Sequence, residues 1–222
     1  MEQRCAACRA RTDGLCGKVP ETALTALGRT GQRKRLVAGE TLIWQDDEAP
    51  PLANLLSGLL QISLSTADGR AQIVGLVRPG DLAGRPYGDR APQTVTALTN
   101  AELCLFPRHA FARIAQTQPQ LDHALLEQTL EALDRARAQM LSLARKAAGE
   151  RVAALLLDLA AEDDEEINLP VSRQEMADIL GLTIETVSRQ LTRLESRGTI
   201  ALSGRRGLSI TSRSALEAAA GA

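Results

Sequence analysis

The sequence has few histidines, few cysteines, almost no net charge and no long apolar run, and each shortage narrows what the chain does. His109 and His123 are its only histidines, too few for a His-rich metal centre, so ordinary helix or surface positions are expected for both. No early apolar run suits a signal peptide, and no apolar stretch approaches the roughly 20 residues that span a bilayer. Val152–Ala161 is the nearest, and it is short and carries Asp158. A cytoplasmic chain without a membrane partner is expected. Lys and Arg number 26 against 27 Asp and Glu, a balance that argues against a protein that coats nucleic acid. Cysteine is limited to four residues, yet Cys5, Cys8 and Cys16 all fall within the first sixteen positions. At 222 residues and 44% hydrophobic content, the chain has room for two modest domains, each with its own core.

What is present is clearest in Val171–Gly198, which reads as two capped helices joined at a glycine. Ser172 followed by Glu175 is a capping box, the hydroxyl and the carboxylate each satisfying a free backbone N–H. Met176, Ala177, Ile179 and Leu180 form an apolar side, Gly181 supplies a left-handed turn, and Thr183 caps the next helix. In that second helix Val187, Leu191 and Leu194 recur at core spacing, which turns Glu185, Ser188, Arg189 and Thr192 onto the opposite face. Gly198 closes it. Thr199–Leu202, a Gly204–Gly207 turn with Arg205 and Arg206, and Leu208–Thr211 complete a winged helix-turn-helix. From Ser172 to Arg213 seven arginines stand against four acids, net +3. Arg189 suits guanine O6 and N7, and Glu185 suits cytosine N4. Taken alone, the same helix also reads as a solvated face with a Glu185–Arg189 pair; the winged context selects DNA.

Upstream, β-like runs occur at Leu36–Val37, Thr41–Trp44, Leu55–Leu56, Leu59–Leu64, Gln72–Val77, Thr94–Leu98 and Leu103–Phe106. Gly39, Gly58, Asp68–Gly69 and Pro79–Gly80 punctuate them, predicting an antiparallel barrel or roll. Pro119 suits the first turn of a helix running to about Lys146 or Ala147, about 40 Å long. Along it Leu126, Thr129, Leu133, Ala136, Met140, Leu143 and Ala147 alternate by three and four, the seam of a parallel coiled coil. A homodimer is expected in preference to a helix packed across its own β domain. A further apolar helix, Val152–Ala161, leads into Glu162–Glu166, five acids read as a solvated linker. Cys5, Cys8 and Cys16 lie in a segment without helix or strand period, and Cys104 in the last β-like run. In a cytosolic protein clustered thiols point to metal or redox chemistry rather than disulfides, with zinc on four thiolates among the options. Cys104 by itself reads as packing.

The order of β-roll, long helix and winged helix-turn-helix resembles the cAMP receptor protein (CRP) superfamily of bacterial transcription regulators, over nearly the whole chain. Within it, Ile184-Glu185-Thr186-Val187-Ser188-Arg189 is similar to the E-x-x-S-R of the fumarate and nitrate reduction regulator (FNR) branch, where Glu, Ser and Arg read a TTGAT-type half-site. Ile184 stands where CRP itself carries an Arg. The same resemblance implies that Cys5, Cys8, Cys16 and Cys104 hold an oxygen-labile [4Fe-4S] cluster, which takes four thiolates. Seven residues separate Cys8 from Cys16 where some members have five, so the loop between them differs. Members that bind cAMP carry a G-E-L…R-S-A cassette; at Gly84–Pro92 the acid is replaced by Arg85 and no Arg-Ser pair follows. Thr66–Arg70 corresponds to a loop that contacts RNA polymerase in relatives, or is a plain hairpin tip.

The fold expected is α+β: an N-terminal antiparallel β-roll of the cyclic-nucleotide-binding type, a long dimerisation helix and a C-terminal winged helix-turn-helix. Residues 1–28 would be a cysteine-rich cluster-binding segment, 29–117 the β-roll, 118–148 the dimer helix and 149–222 the DNA-binding domain. The function expected is that of a regulator and not an enzyme: a homodimer that senses oxygen through the cluster and binds a palindromic operator in double-stranded DNA, with RNA polymerase as a partner. Thr183, Glu185, Ser188, Arg189 and Thr192 would meet the DNA. The rivals are a cluster-free relative responding to thiol oxidation or a small molecule, and, outside regulators, a metal-binding redox protein. Better-known FNR-type relatives have a carboxylate near the place of Ala136, and the resemblance implies that its repulsion keeps the cluster-free form monomeric. An uncompensated buried charge costs roughly 3–5 kcal/mol, and this seam has no acid. Air-exposed wild type is therefore expected to sediment partly as a dimer where Ala136→Asp is monomeric at equal micromolar concentration; a wholly monomeric wild type would contradict this.

Overall fold

The computed structural model describes Cys5, Cys8, Arg11 and residues 14–69, 71–160, 166–204 and 206–221, with the backbone alone described at 166–168. Two compact units result, Met1–Arg135 and Ala136–Ala222. The first holds eight strands: β1 Gln32–Leu36, β2 Thr41–Ile43, β3 Leu52–Ser57, β4 Leu60–Ser65, β5 Ala71–Val77, β6 Leu82–Ala83, β7 Thr94–Ala97 and β8 Ala101–Phe106. They form two four-stranded antiparallel sheets, ordered β1-β8-β3-β6 and β2-β7-β4-β5. Leu36, Ile43, Ala53, Leu55, Leu60, Val95, Ala97 and Leu103 fill the space between them. The expected β-roll is therefore present, with β6, most of β1 and the first half of β3 added to the predicted runs.

Side chains alternate across a strand, so β3 and β8 present a second apolar face. There Leu52 and Phe106 pack with Leu15, Leu27, Phe111, Leu121, Ala124 and Leu125, which joins the first sheet to α1 Glu21–Thr30, α2 Arg108–Thr117 and α3 Pro119–Arg145. Phe106 and Phe111 meet edge to face, ring centroids 6.0 Å apart. Helix α1 was not expected from sequence, and it runs across residue 28, the expected edge of the cysteine-rich segment. Its start at Pro20 has no side-chain cap, and its Thr and Gly content weakens intrinsic propensity; burial of Ala23, Leu24 and Leu27 supplies what the local sequence lacks.

Helix α3 begins at Pro119 as expected. Its first turns bury Leu121, Ala124 and Leu125, whereas Leu126, Leu130, Leu133, Met140 and Leu141 are between 42% and 69% exposed. Ala147 is a correction: the helix ends at Arg145, and Ala147 is the N-cap of α4 Ala148–Leu159, its N–H donating to Glu150 Oε2 at 2.6 Å. That cap also starts α4 four residues before the predicted Val152.

In the second unit α4 is followed by β9 Glu166–Asn168, α5 Arg173–Leu180, α6 Ile184–Ser196, β10 Ile200–Ser203, β11 Gly207–Ile210 and α7 Arg213–Ala219. The strands form one antiparallel sheet, β10-β11-β9. Glu166 is a second correction: its backbone pairs with Ser209 of β11, so the acidic run ends in a strand. Glu162–Glu165 lie outside the described residues, as do Arg70 and Arg205. Arg151 Nη1 donates to Leu180 O at 3.0 Å and Lys146 Nζ to Ala220 O at 2.7 Å, tying α4, α5 and the end of α7 into one body. Among the described residues no helix is long and apolar enough to cross a membrane.

Candidate cysteine site and nucleic-acid interface

The central place of β8, paired with β1 on one side and β3 on the other, puts Cys104 opposite Arg33 and Asn54. Registered partners share a face, so Cys104 and Asn54 both turn from the inter-sheet core toward α1. Just before α1 a 3-10 turn, Leu15–Gly17, carries Cys16; its Leu15 is completely buried. That burial fixes Cys16 next to the same face. Further upstream the backbone turns tightly, Cys8 N–H donating to Cys5 O at 3.4 Å and Arg11 N–H to Cys8 O at 3.0 Å.

All four cysteines are half-buried thiols, and all four line one cavity together with Arg11, Leu24, Leu27, Gly28, Asn54, Leu56 and Phe106. It encloses about 350 Å³ of empty space, its open mouth included. Burial pushes the Cys16 thiol up to about 12, the nearby Cys104 adds to this, and Cys8 and Cys5 add less. Against them acts Asn54, whose Nδ2 donates to Cys16 Sγ at 3.6 Å. Cys104 is confined as well: a Cβ at Gly31 would stand 2.8 Å from its Sγ and 2.9 Å from Phe106 Cε1, so the thiol keeps its place only beside a glycine.

Which group suits these donors follows from size and chemistry. Among the described residues no three His, Cys, Asp or Glu side chains close round a single ion. Zinc at about 2.3 Å from each thiolate needs sulfurs about 3.8 Å apart in a tetrahedron; an iron–sulfur cluster, several atoms across, takes its thiolates from further apart. Among the described residues the cavity lining contributes four soft sulfur donors and neither a carboxylate nor an imidazole, the donor set of such a cluster. His109 lies on α2 and His123 on α3, where His123 Nε2 is 3.3 Å from Glu127 Oε1.

The two helices of the helix-turn-helix form as their caps dictate. Glu175 N–H donates to Ser172 Oγ at 3.2 Å and Ser172 N–H to Glu175 Oε2 at 2.5 Å. Gly181 takes the left-handed conformation at φ +59°, and Thr183 Oγ1 accepts from Thr186 N–H at 3.3 Å. Val187, Leu191 and Leu194 are buried under α6, leaving Thr183, Glu185, Arg189 and Thr192 exposed and Ser188 half-buried. Arg189 Nη2 donates to Thr186 Oγ1 at 3.4 Å, which holds the guanidinium over the first turn of the helix. Arg173, which sequence reasoning did not single out, donates from Nη1 to Ser188 Oγ at 3.4 Å; its only sequence sign was an arginine immediately after the cap. The N-terminal end of α6 thus offers hydroxyl, carboxylate and guanidinium groups on one accessible side, suited to base edges and phosphates.

The remaining predicted positions fall on α3 and in two loops. Leu126, Thr129, Leu133 and Met140 are exposed, Ala136 and Leu143 half-buried. Leu143 Cδ2 lies 3.7 Å from where a Cβ on Gly181 would stand, so it leans on its own helix-turn-helix. Leu130 and Leu141, exposed and apolar, were missed because a strict three-four alternation skips them. The 66–69 turn joins β4 to β5, with Thr66 Oγ1 donating to Asp68 Oδ1. In the stretch replacing the cyclic-nucleotide cassette, Tyr87 donates to Asp122 Oδ1 at 2.9 Å.

A β-roll, a long helix with an uncovered apolar stripe, and a winged helix-turn-helix with a polar recognition face define a DNA-binding transcription regulator. Family models agree with both halves: a cyclic nucleotide-binding domain matches residues 33–118 and a Crp-like helix-turn-helix domain residues 150–219. The chain belongs to the CRP/FNR family of transcription regulators. It is 38% identical to the transcriptional activator protein FnrL of Cereibacter sphaeroides, over 94% of this chain and 88% of that protein. It is 36% identical to the nitrogen fixation regulation protein FixK of Bradyrhizobium diazoefficiens, over 89% and 86%. Its fold is similar to the solved structure of FixK2 from Bradyrhizobium japonicum, with a TM-score of 0.78 at 30% identity, covering 85% of this chain and 96% of that one. These relatives are regulators, not enzymes.

The exposed face of α6 makes a direct prediction. Arg189→Ala should weaken binding to the preferred duplex by about 1–3 kcal/mol, the worth of a good bidentate base contact, and change binding to scrambled duplex far less. Equal losses on both in a fluorescence titration at fixed salt would remove Arg189 from base reading.

Proposed function

We propose that this regulator senses oxygen through a [4Fe-4S] cluster held by Cys5, Cys8, Cys16 and Cys104, and that a homodimer of it binds a palindrome of TTGAT-like half-sites. One observation carries the reading: four thiols from separate parts of the chain, 88 positions apart between Cys16 and Cys104, line a single cavity. Unrelated packing cysteines have no reason to converge. The 38% identity to a transcriptional activator over most of both chains supports the regulatory part of the reading.

When bound, the cluster supplies redox-active, oxygen-sensitive iron. The chain supplies the rest. Leu15, one residue before Cys16, packs in the cluster of side chains that includes Leu121, Ala124 and Leu125 of α3. Lys18, two residues after Cys16, pairs with Glu131 at 3.0 Å and Glu127 at 3.5 Å on the same helix. A movement of Cys16 is therefore passed to α3 directly beside the uncovered stripe of Leu126, Leu130 and Leu133. Two copies joined along that stripe would bury apolar area now facing water, at about 25 cal/mol per Å². Dimer symmetry would then bring two α6 helices to successive major grooves roughly 34–36 Å apart. There Glu185, Ser188 and Arg189 read the half-site, with Thr183 and Thr192 alongside. RNA polymerase is the further partner, met in part by the 66–69 turn, and the protein acts in the cytoplasm.

Cys104→Ser should abolish the visible iron–sulfur absorbance of anaerobically prepared protein as fully as Cys16→Ser does, with folding checked by circular dichroism. Full cluster content in a folded Cys104→Ser variant would show that the fourth ligand lies elsewhere. A wild type that is colourless without air would overturn the cluster reading and favour a thiol-oxidation or small-molecule response.

A further inference from the structure

Asn54 is a polar side chain in the middle of β3 with no solvent exposure, on the face that lines the cysteine cavity. Apolar residues surround it on its own strand: Leu52, Ala53, Leu55 and Leu56 are all buried. An amide in such a place costs free energy unless both its ends are bonded. Here one end is engaged, Nδ2 donating to Cys16 Sγ at 3.6 Å. Its Oδ1 is buried and has no hydrogen-bond partner among the described residues. The strand register sets the amide opposite Cys104, so it is aimed at the space between two of the four sulfurs. A half-satisfied buried amide is a poor choice for stability alone, since leucine of nearly the same shape would fill the position without leaving an acceptor unpaired.

Its one bond is of the kind that depends on the state of its partner. An N–H···S bond is stronger when the sulfur is an anion than when it is a neutral thiol, and hydrogen bonds to the sulfurs are among the features that set the potential of an iron–sulfur centre. We propose that Asn54 is a positioning residue for the cysteine site, donating through Nδ2 to the Cys16 sulfur as a ligand thiolate and thereby raising the reduction potential of the bound cluster. The inference rests on the cluster reading above. It explains the amide as a group whose bond is worth most when the site is loaded. It also gives Cys16 a polar neighbour on its buried side. The step concerned is the gain of one electron by the oxidised cluster from dithionite through mediator dyes, with no proton transferred to or from Asn54.

The experiment compares wild type with Asn54→Leu, both loaded anaerobically, by redox titration monitored through the paramagnetic signal of the reduced cluster. Asn54→Leu should retain iron and visible absorbance, while the equilibrium for one-electron reduction moves about tenfold against the reduced form, equivalent to about 59 mV. Thermal melting of the cluster-free proteins separates this from a structural role: the variant should melt no lower than wild type, because it loses an unpaired acceptor and keeps its shape. An unchanged potential in a loaded variant overturns the role of Asn54 and leaves the cluster reading intact. Absence of any iron–sulfur signal from the wild type overturns both. A measurement on wild type alone covers a variant that does not fold. Asparagine labelled with ¹⁵N at the side-chain amide should give a nitrogen coupling in the pulsed paramagnetic spectrum of the reduced cluster, and no coupling overturns the proposal.

Discussion

The position of β8 between β1 and β3 is the constraint on which the N-terminal unit depends. A strand paired on both edges has its register fixed twice, once by Arg33↔Cys104 and once by Asn54↔Cys104, and a slip of one residue would turn every side chain to the wrong face. With the register fixed, Ala101 and Leu103 enter the core between the sheets, while Cys104 and Phe106 meet the helices on the other side. The thiol therefore stands on the most determined part of the unit. The three other thiols come to it on a segment anchored by Leu15, whose complete burial outweighs the weak local preferences of the residues around it.

If the cysteine site is the sensor, ordinary packing connects it to α3. Leu15 and Phe106 touch the cysteine cavity or its immediate neighbours, and the same apolar cluster includes Leu121, Ala124 and Leu125 of α3. Close-packed interiors accommodate volume changes poorly, so a change at Cys16 is felt where α3 leaves the β-roll. The ion pairs of Lys18 with Glu127 and Glu131 are exposed and worth little energy, about 0–1 kcal/mol. Their use is directional, holding the loop after Cys16 against one side of the helix. In the DNA-binding unit the determining groups are local caps, which set the angle of α6 and leave Arg189 outward.

What could be read from sequence divides along the same line. Ser172, Glu175, Gly181 and Thr183 act on backbone groups within a few residues of themselves, so the helix-turn-helix was legible almost residue by residue. Pro119 and the apolar spacing after it gave α3 in the same way. Helix α1 was not legible, because its stability comes from Leu24 and Leu27 meeting strands and helices elsewhere in the chain. Asn54 and Gly31 belong to the same class: an amide beside an alanine and a glycine before a strand say nothing until the fold brings Cys16 and Cys104 against them. The acidic run was misread at Glu166 because charge pattern describes side chains, whereas strand β9 is made by backbone pairing with β11. Of the residues read as a seam, Leu126, Thr129, Leu133 and Met140 stand exposed on α3. Leu143 is half-buried beside Gly181, and Ala147 falls outside the helix because Glu150 makes it the cap of the next one.

If these four thiols form one cluster site in a DNA-binding regulator, the protein carries iron and sulfide in equal amounts. The most direct measurement is elemental: iron, acid-labile sulfide and zinc determined on protein purified entirely without air. About four irons and four sulfides per chain, with zinc negligible, is the result expected of a filled four-thiolate [4Fe-4S] site. Stoichiometric zinc, or no metal in a folded protein that binds DNA fully, would contradict it.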